Sequence, residues 1–283
     1  MASSGQIPDR QITLYHFQSS YFSQMARLAF VEKHIAYVSK IVNILQGETY
    51  APDFVAISPA CEVPAITISN GDSITAISGS QEIIDYLDSI TTDPDPFYNQ
   101  QKEQINAFRQ RCVDLPMAEI TLGIVRHPHL LEGTKIPQNV IDNFSRRVDR
   151  KQLMIDNIQR YPHLAHFYQT KLQRVIEVEN NSDENTLREL LADLDTFLDQ
   201  VNAQLRTAAR MHGDHDGKHY DGWLFGRNFS NADIALATLL ARLDLLGRAG
   251  HFWDMTERVF LADYYRRLKE RPSFQQECVT NMS

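Results

Sequence analysis

Along the first ninety residues the spacing of apolar positions changes period several times. Residues 12–16 form a short apolar run, which predicts a buried strand. Phe22, Met25, Ala26, Ala29 and Phe30 then recur at helical spacing and predict an amphipathic helix. Residues 36–42 read as a second strand and 52–57 as a short helix or turn. Residues 64–68 and 74–77 flank Asn70-Gly71, a pair that accepts positive φ and so predicts a hairpin. Ile83, Ile84 and Leu87 place a last helix starting near Ser80. The order is βαβ followed by ββα, an α/β domain over residues 1–90.

Residues 91–96 carry two prolines and two aspartates, which disfavour helix on either side and predict a linker. From Asn99 onward the periods are helical throughout. Residues 187–205 hold an amphipathic stripe at 187, 190, 191, 194, 197, 198 and 201. Ser230, with Asp233 three residues on, predicts a capping box. Residues 234–246 are apolar nearly all round, so that helix is expected to be buried. Residues 97–283 therefore predict an all-helical domain.

A length of 283 residues suits two domains, and 43% apolar residues suffice for packed cores. The net charge of −8 disfavours a nucleic-acid partner. Cys61, Cys112 and Cys278 are widely spaced and form no CxxC pair, which argues against a structural zinc site or a disulfide framework. No signal peptide and no membrane-spanning run is visible. Between residues 126 and 175, nine Lys or Arg stand against four acids. That run reads either as a solvated helical hairpin or as a basic surface for an anionic membrane or acidic partner.

Leu14-Tyr15-His16, the serine-rich turn that follows, Glu62-Val63-Pro64 and Tyr86-Leu87 resemble the N-terminal half of a glutathione transferase. Trp223-Leu224-Phe225-Gly226 with Phe229-Ser230-Asn231-Ala232-Asp233 resembles the capping region of its helical half. Ser23-Gln24, Arg27-Leu28, Glu32-Lys33, Ile83-Ile84-Asp85-Tyr86-Leu87, Leu115-Pro116-Met117, His127-Pro128 and Leu198-Asp199-Gln200-Val201 are similar to the ganglioside-induced differentiation-associated protein 1 family. So are the region of Asp263-Tyr264-Tyr265 and a long insertion at about residues 126–185. The resemblance implies a thioredoxin-like N-terminal domain and an all-α C-terminal domain. It also implies the mitochondrial outer membrane, facing the cytosol, and a role in mitochondrial fission and redox state. The family's hydrophobic C-terminal anchor has no counterpart before Ser283, so either the anchor lies outside this sequence or the protein is cytoplasmic.

Within that resemblance, Ser20 occupies the position that would polarise a glutathione thiol. A hydroxyl donor and a helix N-terminus both favour a thiolate. Serine is equally a favoured cap, and Ser19, Tyr21 and Ser23 crowd the same turn. With serine at both 20 and 23, dithiol exchange is unavailable. Val63-Pro64 is expected to be cis, presenting the Val63 backbone to the cysteinyl part of glutathione as an added strand. Ser80 stands where transferases bind the γ-glutamyl carboxylate at a helix N-terminus. Gly79 replaces the acid usual just before it. Ser20 is thus the catalytic candidate, and Val63, Pro64, Gly79 and Ser80 are the ligand-binding candidates.

No metal site is expected; His212, His215 and His219 read as a solvated loop and His163 with His166 as a surface pair. Cys61, with no basic neighbour expected to lower its pKa, reads as an inert thiol. No resident cofactor is expected; the ligand is glutathione, as substrate or weak ligand, or a hydrophobic small molecule. A homodimer is the expected assembly. Two functions follow: a binding protein with weak or absent conjugation, or a working transferase whose electrophile sits near residues 115–121.

Overall fold

The computed structural model describes residues 10–71, 73–91, 96–131, 135–212 and 221–279. Most of the expected linker, and the stretch holding His215 and His219, lie outside them. The chain forms two compact units, residues 1–91 with 146–173 and residues 92–145 with 174–283.

The first unit is built on a four-stranded sheet of order β2-β1-β3-β4. Its strands are β1 (Arg10–His16), β2 (Val38–Ile41), β3 (Ala65–Asn70) and β4 (Ser73–Ser78). β1 and β2 are parallel, and the remaining pairs are antiparallel. The period-2 pattern is realised in β1, where Ile12, Leu14 and His16 are buried and Thr13 and Tyr15 only partly so. Helix α1 (Tyr21–Glu32) joins β1 to β2, and Met25, Ala26, Ala29 and Phe30 on it are fully buried. Helix α2 (Pro52–Val55) starts with proline, which needs no N–H partner there. Helix α3 (Ser80–Ile90) buries Ile83, Ile84 and Leu87 and packs against α1. The second strand is shorter than residues 36–42. Tyr37 stands outside it, its ring 4.7 Å from that of Phe30. Both edge strands are largely exposed, Ile74 on β4 most of all.

Helix α7 (Arg150–Arg160) and the first part of α8 (Ala165–Asn180) belong to this first unit rather than to the helices around them in sequence. They lie on the segment between β2 and β3. Gly47 in that segment has φ +74, and a Cβ there would meet Leu153 Cδ2 at 2.5 Å.

The second unit contains α4 (Pro96–Asp114), α5 (Met117–Arg126), α6 (Gln138–Ser145), the end of α8, α9 (Glu184–His212), α10 (Asn231–Leu245), α11 (Ala249–Phe252) and α12 (Val259–Glu270). Residues 231–243 of α10 are buried on every side, as the apolar run required. α10 packs on α4, α9 on α12, and α5 on α9. The Ser230–Asp233 capping box forms. Asp233 also accepts from Leu224 N–H at 2.9 Å and from the Tyr264 hydroxyl at 2.9 Å. Burial pushes the Asp233 carboxyl upward in pKa against these donors.

Candidate functional site: one end of the four-stranded sheet

Strand register gathers the site. Tyr15 pairs with Ala65, and Ala65 with Ser78, so the end of β1, the start of β3 and the end of β4 share one edge. At the usual interstrand spacing, Ser78 lies about 10 Å from Tyr15. The loop after β1 carries Ser20, the loop before β3 carries Val63 and Pro64, and the turn after β4 carries Gly79 and Ser80. The Val63-Pro64 bond is cis. Gly79 N–H donates to the Pro64 carbonyl at 3.0 Å, tying two of these loops together.

Ser20 is the N-cap of α1. Its Oγ accepts from Ser23 N–H at 3.3 Å, and its own O–H remains able to donate. Ser23 is buried behind it, its Oγ accepting from Phe17 N–H at 3.4 Å. Tyr21 is buried and meets Phe22 edge to face, and Tyr15 packs at a tilt on Phe54.

Beneath this turn lies a cluster that sequence reasoning missed. Arg27 is 1% exposed and donates to the carbonyls of Phe17 and Gln18, both at 3.2 Å. Its guanidinium also approaches His16 Nδ1 at 3.4 Å. A guanidinium has only donors, so Nδ1 accepts and Nε2–H donates to Ser39 Oγ at 2.7 Å. Burial, and then the Arg27 charge, lower the His16 pKa to about 4, so the ring is neutral near pH 7. The available signal was a lone arginine between Ala26 and Leu28 in an otherwise apolar run.

The loop ahead of Pro64 is held from within. Ser58 Oγ donates to the Glu62 carbonyl at 2.8 Å. Val63 packs with Val42, Phe54 and Ala65. Cys61 is buried, and its pKa rises to about 11, chiefly through burial. A basic neighbour does exist, Lys171 from the distant α8, but its lowering effect does not offset burial. Desolvation thus keeps the thiol protonated near neutral pH.

At α3, Gly79 is the N-cap with φ +100, and Ser80 is 5% exposed. The Glu82 carboxylate folds back over Gly79, where an added Cβ would sit 2.1 Å from Glu82 Oε2. An acid from within the helix thus stands beside the N-terminus of α3. Among the described residues no group of His, Cys, Asp and Glu could hold a metal ion. His163 and His166 are both exposed.

Residues 19–90 match the glutathione S-transferase N-terminal domain, and residues 184–267 match the glutathione S-transferase C-terminal domain. The Arabidopsis thaliana glutathione S-transferase TCHQD is 30% identical over 93% of this chain and 88% of its own length. The chain belongs to the glutathione transferase superfamily. Within it, the family indicated by the motifs is matched by the human ganglioside-induced differentiation-associated protein 1-like 1, 28% identical over 97% of this chain and 76% of that protein. The tetrachloro-p-hydroquinone reductive dehalogenase of Sphingobium chlorophenolicum is 27% identical over 94% of each chain. Among solved structures, the β-etherase LigF from Sphingobium sp. strain SYK-6 superposes with a TM-score of 0.64 at 16% identity, covering 94% of this chain and 98% of that one.

Proposed function

We propose that this protein acts mainly by binding, with weak or absent glutathione conjugation, at the mitochondrial outer membrane in fission and redox control. The observation that carries the weak-activity reading is the Glu82 carboxylate beside Gly79. A γ-glutamyl carboxylate approaching the Ser80 end of α3 meets a like charge from a residue inside the helix, while the position just before Ser80 offers no side chain. Two unit charges 4 Å apart repel by about 1 kcal/mol even in bulk water, and more in a partly shielded cleft. Ser20, Val63, Pro64 and Ser80 keep the frame of a ligand site, so glutathione or a hydrophobic small molecule enters as a weak ligand rather than a resident cofactor. The mitochondrial assignment rests on the kinship with the ganglioside-induced differentiation-associated proteins. Attachment through a C-terminal anchor, with the globular part facing the cytosol, and a homodimeric state complete this reading; a cytoplasmic protein is the alternative.

A working transferase is the second reading, favoured by the plant transferase and bacterial dehalogenase relatives. There Ser20 donates to the glutathione sulfur, the Val63 backbone pairs with the cysteinyl unit and Ser80 binds the γ-glutamyl end. Calorimetry with reduced glutathione, alongside a conjugation assay with a chloronitrobenzene, separates the two. Binding no tighter than millimolar without turnover supports the first reading. Sub-millimolar binding that is lost in Ser80→Ala, with turnover lost in Ser20→Ala, overturns it. Fractionation of cells expressing the full-length protein tests the location.

A further inference from the structure

We propose that the hairpin of α7 and α8 is a strap that fixes the crossover between β2 and β3, with Lys171 as the positioning residue for the Glu62-Val63-Pro64 loop. Charge gives the first indication. Residues 42–64 contain three acids, Glu48, Asp53 and Glu62, and no Lys, Arg or His. Residues 146–173 contain six Lys or Arg and two acids. The two segments are complementary, and they belong to the same compact unit. Lys171 of the basic segment and Glu62 of the acidic one form an ion pair.

Contacts are made at three points along the crossover. Val148 N–H donates to the Leu45 carbonyl at 3.0 Å. The Tyr50 carbonyl accepts two donors, Asn157 Nδ2 at 3.0 Å and the Tyr168 hydroxyl at 3.0 Å, which engages both of its lone pairs. Lys171 forms an ion pair with Glu62, the residue immediately before Val63. Tyr168 is fully buried, so its hydroxyl needs a partner there, and a backbone carbonyl of the crossover supplies it. Lys171 is only 14% exposed at its side chain, whereas Glu62 is 53% exposed. The lysine is the covered half of the pair and the glutamate the exposed half. Ser58 holds the Glu62 backbone from one side while Lys171 holds its carboxylate from the other. The ligand consequence rests on the proposed site: if Val63 presents its backbone to a peptide-like thiol, Lys171 sets how firmly that backbone is held.

Hydrogen–deuterium exchange on the full chain tests the strap directly. Lys171→Met and Glu62→Gln should each speed exchange of amides in residues 58–66 by roughly three- to tenfold, the scale of one partly exposed ion pair. The double variant should be no faster than either single one, and Lys171→Arg should restore most of the protection. Unchanged exchange in both single variants, or fully additive effects in the double one, would overturn the strap. Calorimetry with reduced glutathione on the same variants separates this from the functional reading. Absence of heat in the parent protein counts against the ligand site alone, because exchange decides the strap independently.

Discussion

The hydroxyl of Tyr264 donates to Oδ1 of Asp233 at 2.9 Å, with both side chains fully buried. The same carboxylate accepts from Leu224 N–H, Ser230 N–H and Ser230 Oγ, so one acid closes the start of α10 and binds α12 to it. Asp233→Ala strands four buried donors and should cost about 3–5 kcal/mol. Tyr264→Phe leaves three donors in place and should cost about 1–2 kcal/mol. Urea denaturation of the two variants checks the ranking; equal losses would show that the carboxylate acts through Tyr264 alone.

His16 makes stability depend on pH. Its folded pKa of about 4 lies below the unfolded value of 6.5, so the unfolded chain binds the extra proton first. The stabilising contribution is fully present above pH 6.5 and is lost as pH falls toward 4. The loss should be of order 2 kcal/mol after allowance for solvent screening. Denaturation midpoints between pH 4 and 7 for the parent and His16→Gln measure it, and parallel profiles would refute the assignment.

Glu82→Ala removes the carboxylate beside Gly79 and should tighten reduced glutathione by roughly three- to tenfold, equivalent to about 1 kcal/mol of relieved repulsion. The α3 backbone is untouched, so stability should change little. Gly79→Ala differs in kind. Its φ of +100 strains any side chain and its Cβ would displace the Glu82 carboxylate, so about 1–2 kcal/mol of stability should be lost. Calorimetry and thermal melting, run on both variants, distinguish the effects.

Gly123 sets how closely α5 approaches α9. A Cβ there would lie 2.8 Å from Cδ1 of Leu187, itself 1% exposed. Helix propensity favours alanine by about 1 kcal/mol, but the overlap with a buried side chain opposes it. Gly123→Ala should be near neutral or mildly destabilising, and Gly123→Val should cost about 2 kcal/mol or more. Combining Gly123→Ala with Leu187→Ala should recover part of the leucine cavity cost, which a double-mutant cycle reads.

Much of this fold is legible locally. The change of apolar period marks β1, α1, the β3–β4 hairpin and α3, and the capping box announces α10. The strand register then brings the chain segments of Ser20, Val63, Pro64, Gly79 and Ser80 to one sheet edge, an arrangement that only the resemblance anticipated. Elements decided by distant contacts were not legible. The boundary of β2 depends on an exposed edge with no burial to sharpen its pattern. The Glu82 carboxylate lies over Gly79, three positions earlier, a closeness that no apolar period encodes. The Tyr168–Tyr50 bond spans 118 positions and leaves no periodic trace. Only the charge imbalance of residues 126–175 hinted that this region had a counterpart elsewhere.

The two-part composition of the first unit bears on how the protein is made. A ribosome releases the sheet segments well before it reaches the hairpin that straps them, so the crossover must wait for roughly eighty further residues at about 5–20 residues per second. For several seconds the Tyr50 carbonyl and the Glu62 carboxylate face water or a chaperone instead of α7 and α8. Truncating the message after the sheet would therefore yield a nascent domain missing one wall, whatever the intrinsic quality of its strands.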